Sequence, residues 1–297
     1  MADEQHKNDQ SPDDITRRDF VSMSIAAGLA AAAGTNVSGQ QQVVEQNVEI
    51  KTPDGTADAA LIHPANGTFP GVLIWPDAFG LRPSMRELGK RLAAEGYSVL
   101  IPNPFYRTAR APVFETAANF DFANQADRAR LGPLMGPLNA PGAAERDAAA
   151  YIAWLDAQRQ VDRNKKIGTQ GYCMGGPLVV KTAASVANRV GAGASFHGGG
   201  LVTANPDSPH LLASKIRGRM YFGVAINDDM QQPDAKDKLR DAFTAAKVPA
   251  EVEVYPAQHG WCVPDMPKQA NGQPIYSKPE ADRAWAKLLA LYKAGLA

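Results

Sequence analysis

The chain has 297 residues, 44% hydrophobic and 21% charged, with 31 Lys+Arg against 31 Asp+Glu. That length can bury one large core, and a formal charge of zero with no basic run interleaved with aromatics argues against a nucleic-acid partner. Two cysteines cannot staple a disulfide scaffold, so packing must carry stability and the partner is expected to be a small molecule.

Residues 1–39 read as an export signal and linker, and 40–297 as a single domain. Thr16-Arg17-Arg18-Asp19-Phe20-Val21 leads into the Ala-rich stretch Ser24 to Ala33. A charged segment, a short weakly apolar segment and a small-residue end have the order of an export signal. The Arg pair resembles a twin-arginine signal, which implies the twin-arginine export machinery as a partner before maturation and a periplasmic or secreted location. The apolar stretch is too short and too rich in Ala for a stable membrane span.

Val43 to Ile50 and Ala57 to His63 alternate like antiparallel strands joined by Thr52-Pro53-Asp54-Gly55. Gly71-Val72-Leu73-Ile74-Trp75 is continuously apolar, as expected of a strand covered on both faces. Met85 to Glu95 has helical spacing and stops at Gly96, and Tyr97 to Ile101 is a further buried strand. Asn103 to Ala143 is weakly patterned and is expected to be an irregular excursion over the top of the sheet. Ala144 to Gln158 is helical. Beyond the central turn come strands Val190 to Phe196, Arg219 to Ala225 and Glu251 to Tyr255, with helices Asp234 to Lys247 and Pro279 to Ala294. Alternating strands and helices imply an α/β domain with a mostly parallel, doubly wound sheet and helices on both faces.

The central turn is Gly171-Tyr172-Cys173-Met174-Gly175-Gly176, after Lys166 to Gln170 and before an apolar helical run. Glycines two before and two after a thiol match the nucleophile elbow G-x-S-x-G with Cys in place of Ser. The apex backbone is strained and the flanking positions are too close for side chains. The turn places the thiol near a helix N-terminus, where thiolate is favoured.

A Cys nucleophile needs a base, and the base needs an orienting acid. Of His63, His197, His210 and His259, only His259 follows a late strand and a plausible acid. The acid lies in Asn227-Asp228-Asp229, in the loop expected after the preceding strand. Asp228 is favoured, with Asp229 as a solvated or capping neighbour. Met174 and Ala78 are the candidate oxyanion N–H donors. Asp77 is expected above the thiol, where an acid could hold the resting Cys proton. Trp261 and Phe79 suggest an apolar or aromatic acyl pocket. Cys262, three residues after His259, is either a separate unpaired thiol or a bridging partner of Cys173 that would disable it.

Taken together, the elbow, Asp77-Ala78-Phe79-Gly80, Arg86-Glu87, Gly96-Tyr97, Ser195-Phe196-His197-Gly198-Gly199, Asp228 and His259-Gly260 resemble the dienelactone hydrolase family. The resemblance covers the chain from about Glu49 to the last helix. It implies a single-domain α/β-hydrolase fold and a Cys173-His259-Asp228 triad that opens an enol-lactone or cleaves an activated ester through a thioester. It implies no cofactor and no metal. Two departures stand out. The family has Glu where Asp77 stands, and an Arg a few residues after the His, where this chain reads Trp261-Cys262-Val263-Pro264. Arg82, Arg107, Arg110, Arg128 and Arg130 are the substitutes that could grip a substrate carboxylate. A broad carboxylesterase or thioesterase on the same triad, or a non-catalytic exported protein with a vestigial elbow, are the rival readings.

Overall fold

The computed structural model describes residues 41–297; the expected export signal lies outside the described residues. Eight strands form one sheet in the order β1-β2-β4-β3-β5-β6-β7-β8. They are β1 (Val43–Thr52), β2 (Gly55–Pro64), β3 (Gly71–Trp75), β4 (Ser98–Pro102), β5 (Ile167–Tyr172), β6 (Val190–Phe196), β7 (Arg219–Ala225) and β8 (Ala250–Tyr255). The β1–β2 and β2–β4 pairs are antiparallel, and every later pair is parallel.

The reason for the apolar runs is visible in β3, where all five residues are buried. Side chains alternate across a strand. Leu73 and Trp75 therefore join one core, while Val72 and Ile74 join the other. Helices α4 (Ala143–Asp156), α5 (Gly175–Ser185) and α7 (Ala235–Ala245) cover the first face. Helices α1 (Pro83–Ala94) and α8 (Lys278–Gly295) cover the second through Met85, Leu88, Leu92, Ala284 and Leu288. No described helix is long and apolar enough to cross a membrane.

Two expectations are corrected. The stretch 103–143 is not wholly irregular: it carries α2 (Gln125–Ala129) and α3 (Gly132–Leu138). Asn124 caps α2 by accepting the Ala126 N–H at 2.8 Å, while Leu134 and Leu138 bury one side of α3. Gly132, Pro133, Gly136 and Pro137 hide that helix from pattern reading, because each argues locally for a break. The segment is tied down by buried Phe114, Ala117 and Phe120. The second correction concerns Asn227, Asp228 and Asp229. They lie not in a loop but in α6 (Ile226–Gln231), which starts directly from the end of β7.

Candidate active site

Cys173 sits between β5 and α5 with φ +51, a left-handed conformation that non-glycine residues adopt rarely. Its neighbours explain why the elbow needs glycine. A Cβ on Gly171 would meet the Gly175 carbonyl oxygen at 2.3 Å, and one on Gly175 would meet the Trp75 carbonyl oxygen at 2.3 Å. Backbone is packed on backbone at both places, so no rotamer change could relieve the clash. The Trp75 Nε1 donates to Thr182 Oγ1 at 2.9 Å and ties β3 to α5 beside the turn.

His259 follows β8, and its Nδ1 lies 2.7 Å from Asp228 Oδ2. Asn227 Oδ1 accepts the His259 backbone N–H at 2.8 Å. The two residues thus hold the histidine by ring and by main chain. Asp229, the rival acid, is paired instead with Lys236 Nζ at 2.7 Å. Burial opposes protonation of His259. Its hydrogen bonds to the Asp228 and Cys173 side chains, with their charge, outweigh burial and push the imidazole up to about 10.

Ala78 lies on the loop after β3, and Met174 follows Cys173. Among the described residues, no group accepts a hydrogen bond from either amide. Both are therefore free to donate to a bound group.

His197 is a site residue to which the sequence assigned no role. The Cys173 N–H donates to Phe196 O and to His197 Nδ1, both at 3.1 Å. Since Nδ1 accepts, the ring proton sits on Nε2. Burial, and then the charge of His259, push His197 well below the ordinary imidazole range and keep it neutral. The His197 ring meets His259 edge-on at 4.9 Å between centroids and Trp261 at 5.1 Å. The available signal was its place at the carboxyl end of β6, next to the elbow strand in the sheet.

Asp77, expected above the thiol, is held in a buried ion pair with Arg82. Its Oδ1 accepts the Phe79 N–H at 2.9 Å and Arg82 Nη1 at 2.7 Å, and its Oδ2 accepts Arg82 Nη2 at 3.0 Å. Arg82 is fully buried. It also binds Asp265, through Nε at 2.8 Å and Nη2 at 2.7 Å, and reaches Gly80 O at 3.3 Å. All five guanidinium N–H groups are thereby satisfied. Asp265 further accepts Ser84 Oγ at 2.7 Å and the Ala117 N–H at 3.1 Å. The cluster therefore joins the Ala78 loop, the start of α1, the segment after His259 and the 103–143 excursion. Asp265 was missed because it lies 188 positions from Asp77 in sequence and carries no motif.

The other arginines proposed as carboxylate grips are also engaged. Arg107 binds Asp54 and Asp147, and Arg110 binds Glu49. Arg128 donates to the carbonyls of Phe122 and Ala123. Arg130 lies 4.4 Å over the Phe114 ring and 3.5 Å from Asp127.

Trp261 is fully buried and stacks on Tyr255 at 4.6 Å, so it belongs to the core and not to an acyl pocket. Phe79 packs edge-on with Phe114, Phe120 and Phe122. Both cysteines are free thiols. Cys262 lines an apolar cavity of about 310 Å³ between α1 and α8, with Tyr172, Phe196 and Trp285. Burial pushes its thiol up, away from thiolate. Among the described residues, no group of three His, Cys, Asp or Glu side chains could hold a metal ion.

The family model for the dienelactone hydrolase family matches residues 57–296. A carboxymethylenebutenolidase of Rhodococcus opacus is 29% identical over 215 residues, covering 71% of this chain and 77% of that protein. A carboxymethylenebutenolidase of a Pseudomonas species, strain P51, is 29% identical over 192 residues, covering 64% of this chain and 74% of that protein. Among solved structures, a dienelactone hydrolase-like promiscuous phosphotriesterase from metagenomic libraries superposes with a TM-score of 0.69 at 23% identity. That superposition covers 87% of this chain and all of the other, and at this identity the likeness is one of fold. The elbow, the sheet order and a family match spanning nearly the whole described domain lead to one statement: this chain belongs to the dienelactone hydrolase family, α/β-hydrolase-fold enzymes acting on lactones and esters.

Proposed function

We propose that this hydrolase opens a lactone or cleaves an activated ester with Cys173 as nucleophile, His259 as base and Asp228 as orienting acid. The observation that carries the reading is the 2.7 Å contact of His259 Nδ1 with Asp228, beside a cysteine at φ +51 on a glycine-flanked elbow. With Asp228 on Nδ1, the His259 Nε2 is the nitrogen left to exchange a proton with the thiol. The Cys173 thiol gives its proton to His259, and the thiolate attacks the carbonyl carbon. The N–H groups of Met174 and Ala78 take the charge that builds on oxygen, each donor contributing ~3 kcal/mol. The C–O bond breaks, His259 returns the proton to the departing enol or alcohol, and a Cys173 thioester remains. Water, deprotonated by His259, then cleaves the thioester and restores the thiol.

Thiolate is a weak base and leaves the tetrahedral intermediate more readily than a poor alkoxide does. Activated esters and enol-lactones should therefore turn over, and amides should not. We also propose that the enzyme is exported, on the strength of Arg17-Arg18 and the Ala-rich stretch after them. Replacing both with Lys should leave the protein in the cytoplasm. The test of the chemistry is a panel of lactones, aryl esters and thioesters, with mass spectrometry for an acyl group on Cys173. Undiminished turnover by Cys173→Ala would overturn the assignment.

A further inference from the structure

We infer that the apolar cavity between α1 and α8 is a binding site for a small aromatic molecule, separate from the place where Cys173 would react. The inference goes beyond the hydrolase reading and does not depend on it.

The sequence leaves this space open. Ala281, Ala284 and Leu288 fall at i, i+3 and i+7 of α8, so they share one face of the helix, and all three line the cavity together with Leu88 of α1. Alanine at two of these positions leaves room that a larger side chain would fill. The cavity measures about 310 Å³. An apolar cavity of roughly 150 Å³ takes up benzene, so a bicyclic ring fits here.

The cavity has a floor and a mouth. Tyr172, Phe196, Cys262 and Leu288 are buried, while Glu87, Arg91 and Pro264 are exposed. The rings of Tyr172, Phe196, Tyr276 and Trp285 line it, and such rings favour an aromatic occupant through edge and offset contacts. Among the described residues that line it, only Glu87 and Arg91 are charged, and both already have partners. Glu87 Oε1 accepts Lys90 Nζ at 2.8 Å. Arg91 lies 3.2 Å from Asp282 and 4.1 Å over the Trp285 ring. Burial of a ring is therefore the main interaction the floor offers, and water finds few partners there.

Neither Cys173 nor His259 lines this cavity. Tyr172 and Phe196 immediately precede Cys173 and His197, and they face each other across β5 and β6. Their rings stack at 5.6 Å between centroids and form part of the wall. The cavity is thus a neighbour of the elbow with its own lining, and a ligand there need not meet the Cys173 thiol.

The test uses the full chain and 1-naphthylamine, an uncharged bicyclic probe whose fluorescence rises in apolar surroundings. Titration should show one saturable site. Cys173→Ala should bind the probe as the wild type does; lost binding would place the probe at the thiol and overturn the inference. Ala284→Phe should fill the cavity and weaken binding by about ten-fold or more, with a cooperative melt as the check on folding. A second readout leaves the cavity unaltered. In Cys173→Ala the one thiol left is Cys262. N-ethylmaleimide at about pH 9 should label it slowly in the folded protein. The probe at about ten times its dissociation constant should slow that labelling by about ten-fold. Absence of saturable binding, undiminished binding by a folded Ala284→Phe, or labelling of Cys262 that the bound probe leaves unchanged would each overturn the inference. So would a Cys262 that stays unlabelled until urea unfolds the protein, because the cavity would then be closed to a ring.

Discussion

The two sides of the site are built on opposite principles. Cys173, Asp228 and His259 are all partly exposed, and the Met174 and Ala78 amides beside them have no acceptor among the described residues. On the other side, Arg82 is fully buried, and every donor it owns is matched by a carboxylate or a carbonyl. The first group can change its bonding as a reaction proceeds. The second cannot do so without leaving a charge unpaired. On the proposed mechanism, the difference separates groups that react from groups that hold the reacting ones in place.

The largest effect should come from the open side. Cys173→Ala removes the proposed nucleophile, and should lower turnover of 4-nitrophenyl esters by about 10⁴ or more. The fold should survive, because the small side chain is only partly buried; an unchanged Tm checks that the loss is chemical. The largest cost in stability should come from the closed side. Arg82→Met leaves buried Asp77 and half-buried Asp265 with no counter-charge, a situation that costs about 3–5 kcal/mol. Urea denaturation reads it. A variant as stable as the wild type would show that the three residues do not act as one unit.

How much of each side can be read from sequence follows from how local its causes are. The elbow is local in sequence: Gly171, Cys173, Gly175 and Gly176 lie within six residues, and a Cβ on Gly171 would meet the Gly175 carbonyl of the same turn, although Gly175 is confined by the Trp75 carbonyl of neighbouring β3. His259 and Asp228 are distant from Cys173, but strand order places both at carboxyl ends of neighbouring strands. Asp77 was legible as an acid beside the oxyanion loop, and its partner was not. Pairing with Arg82 is decided by Asp265, which approaches only once the segment after β8 folds back across α1. The contact His197 makes was hidden for a similar reason. Its ring meets the Cys173 amide because β5 and β6 are adjacent and parallel, with Tyr172 opposite Phe196. The helix Gly132–Leu138 was obscured because its glycines and prolines lower propensity, while Leu134 and Leu138 packing overrides it.

A smaller effect concerns His259 and pH. The free imidazole value is 6.5 and the folded one is about 10, so protonation favours the folded protein. That contribution is fully present below pH 6.5 and is lost as the pH rises towards 10. The Tm should therefore fall across this window. His259→Gln should remove the His259 share of the slope, as calorimetry at pH 6, 8 and 10 can show. Arg82, held up by Asp77 and Asp265, keeps its proton throughout the window.

The smallest effect sharpens the contrast within a single turn of helix. Asp228 and Asp229 are adjacent in α6 and similarly exposed, yet one faces His259 Nδ1 and the other faces Lys236 Nζ, each at 2.7 Å. Distance alone does not separate them, but the partner does. Asp228→Asn keeps the shape and removes the charge that favours the imidazolium, so kcat should fall by about 10³ or more if Asp228 orients the base. Asp229→Asn weakens an ion pair of the kind that contributes about 0–1 kcal/mol at a partly exposed position, and should change kcat less than three-fold. The double variant separates a catalytic role from a structural one. If Asp229 only steadies α6, its change should alter stability alone, and the double variant should be as slow as Asp228→Asn. If Asp229 substitutes for Asp228 when the latter is lost, the double variant should be slower still, and the triad would then have two interchangeable acids.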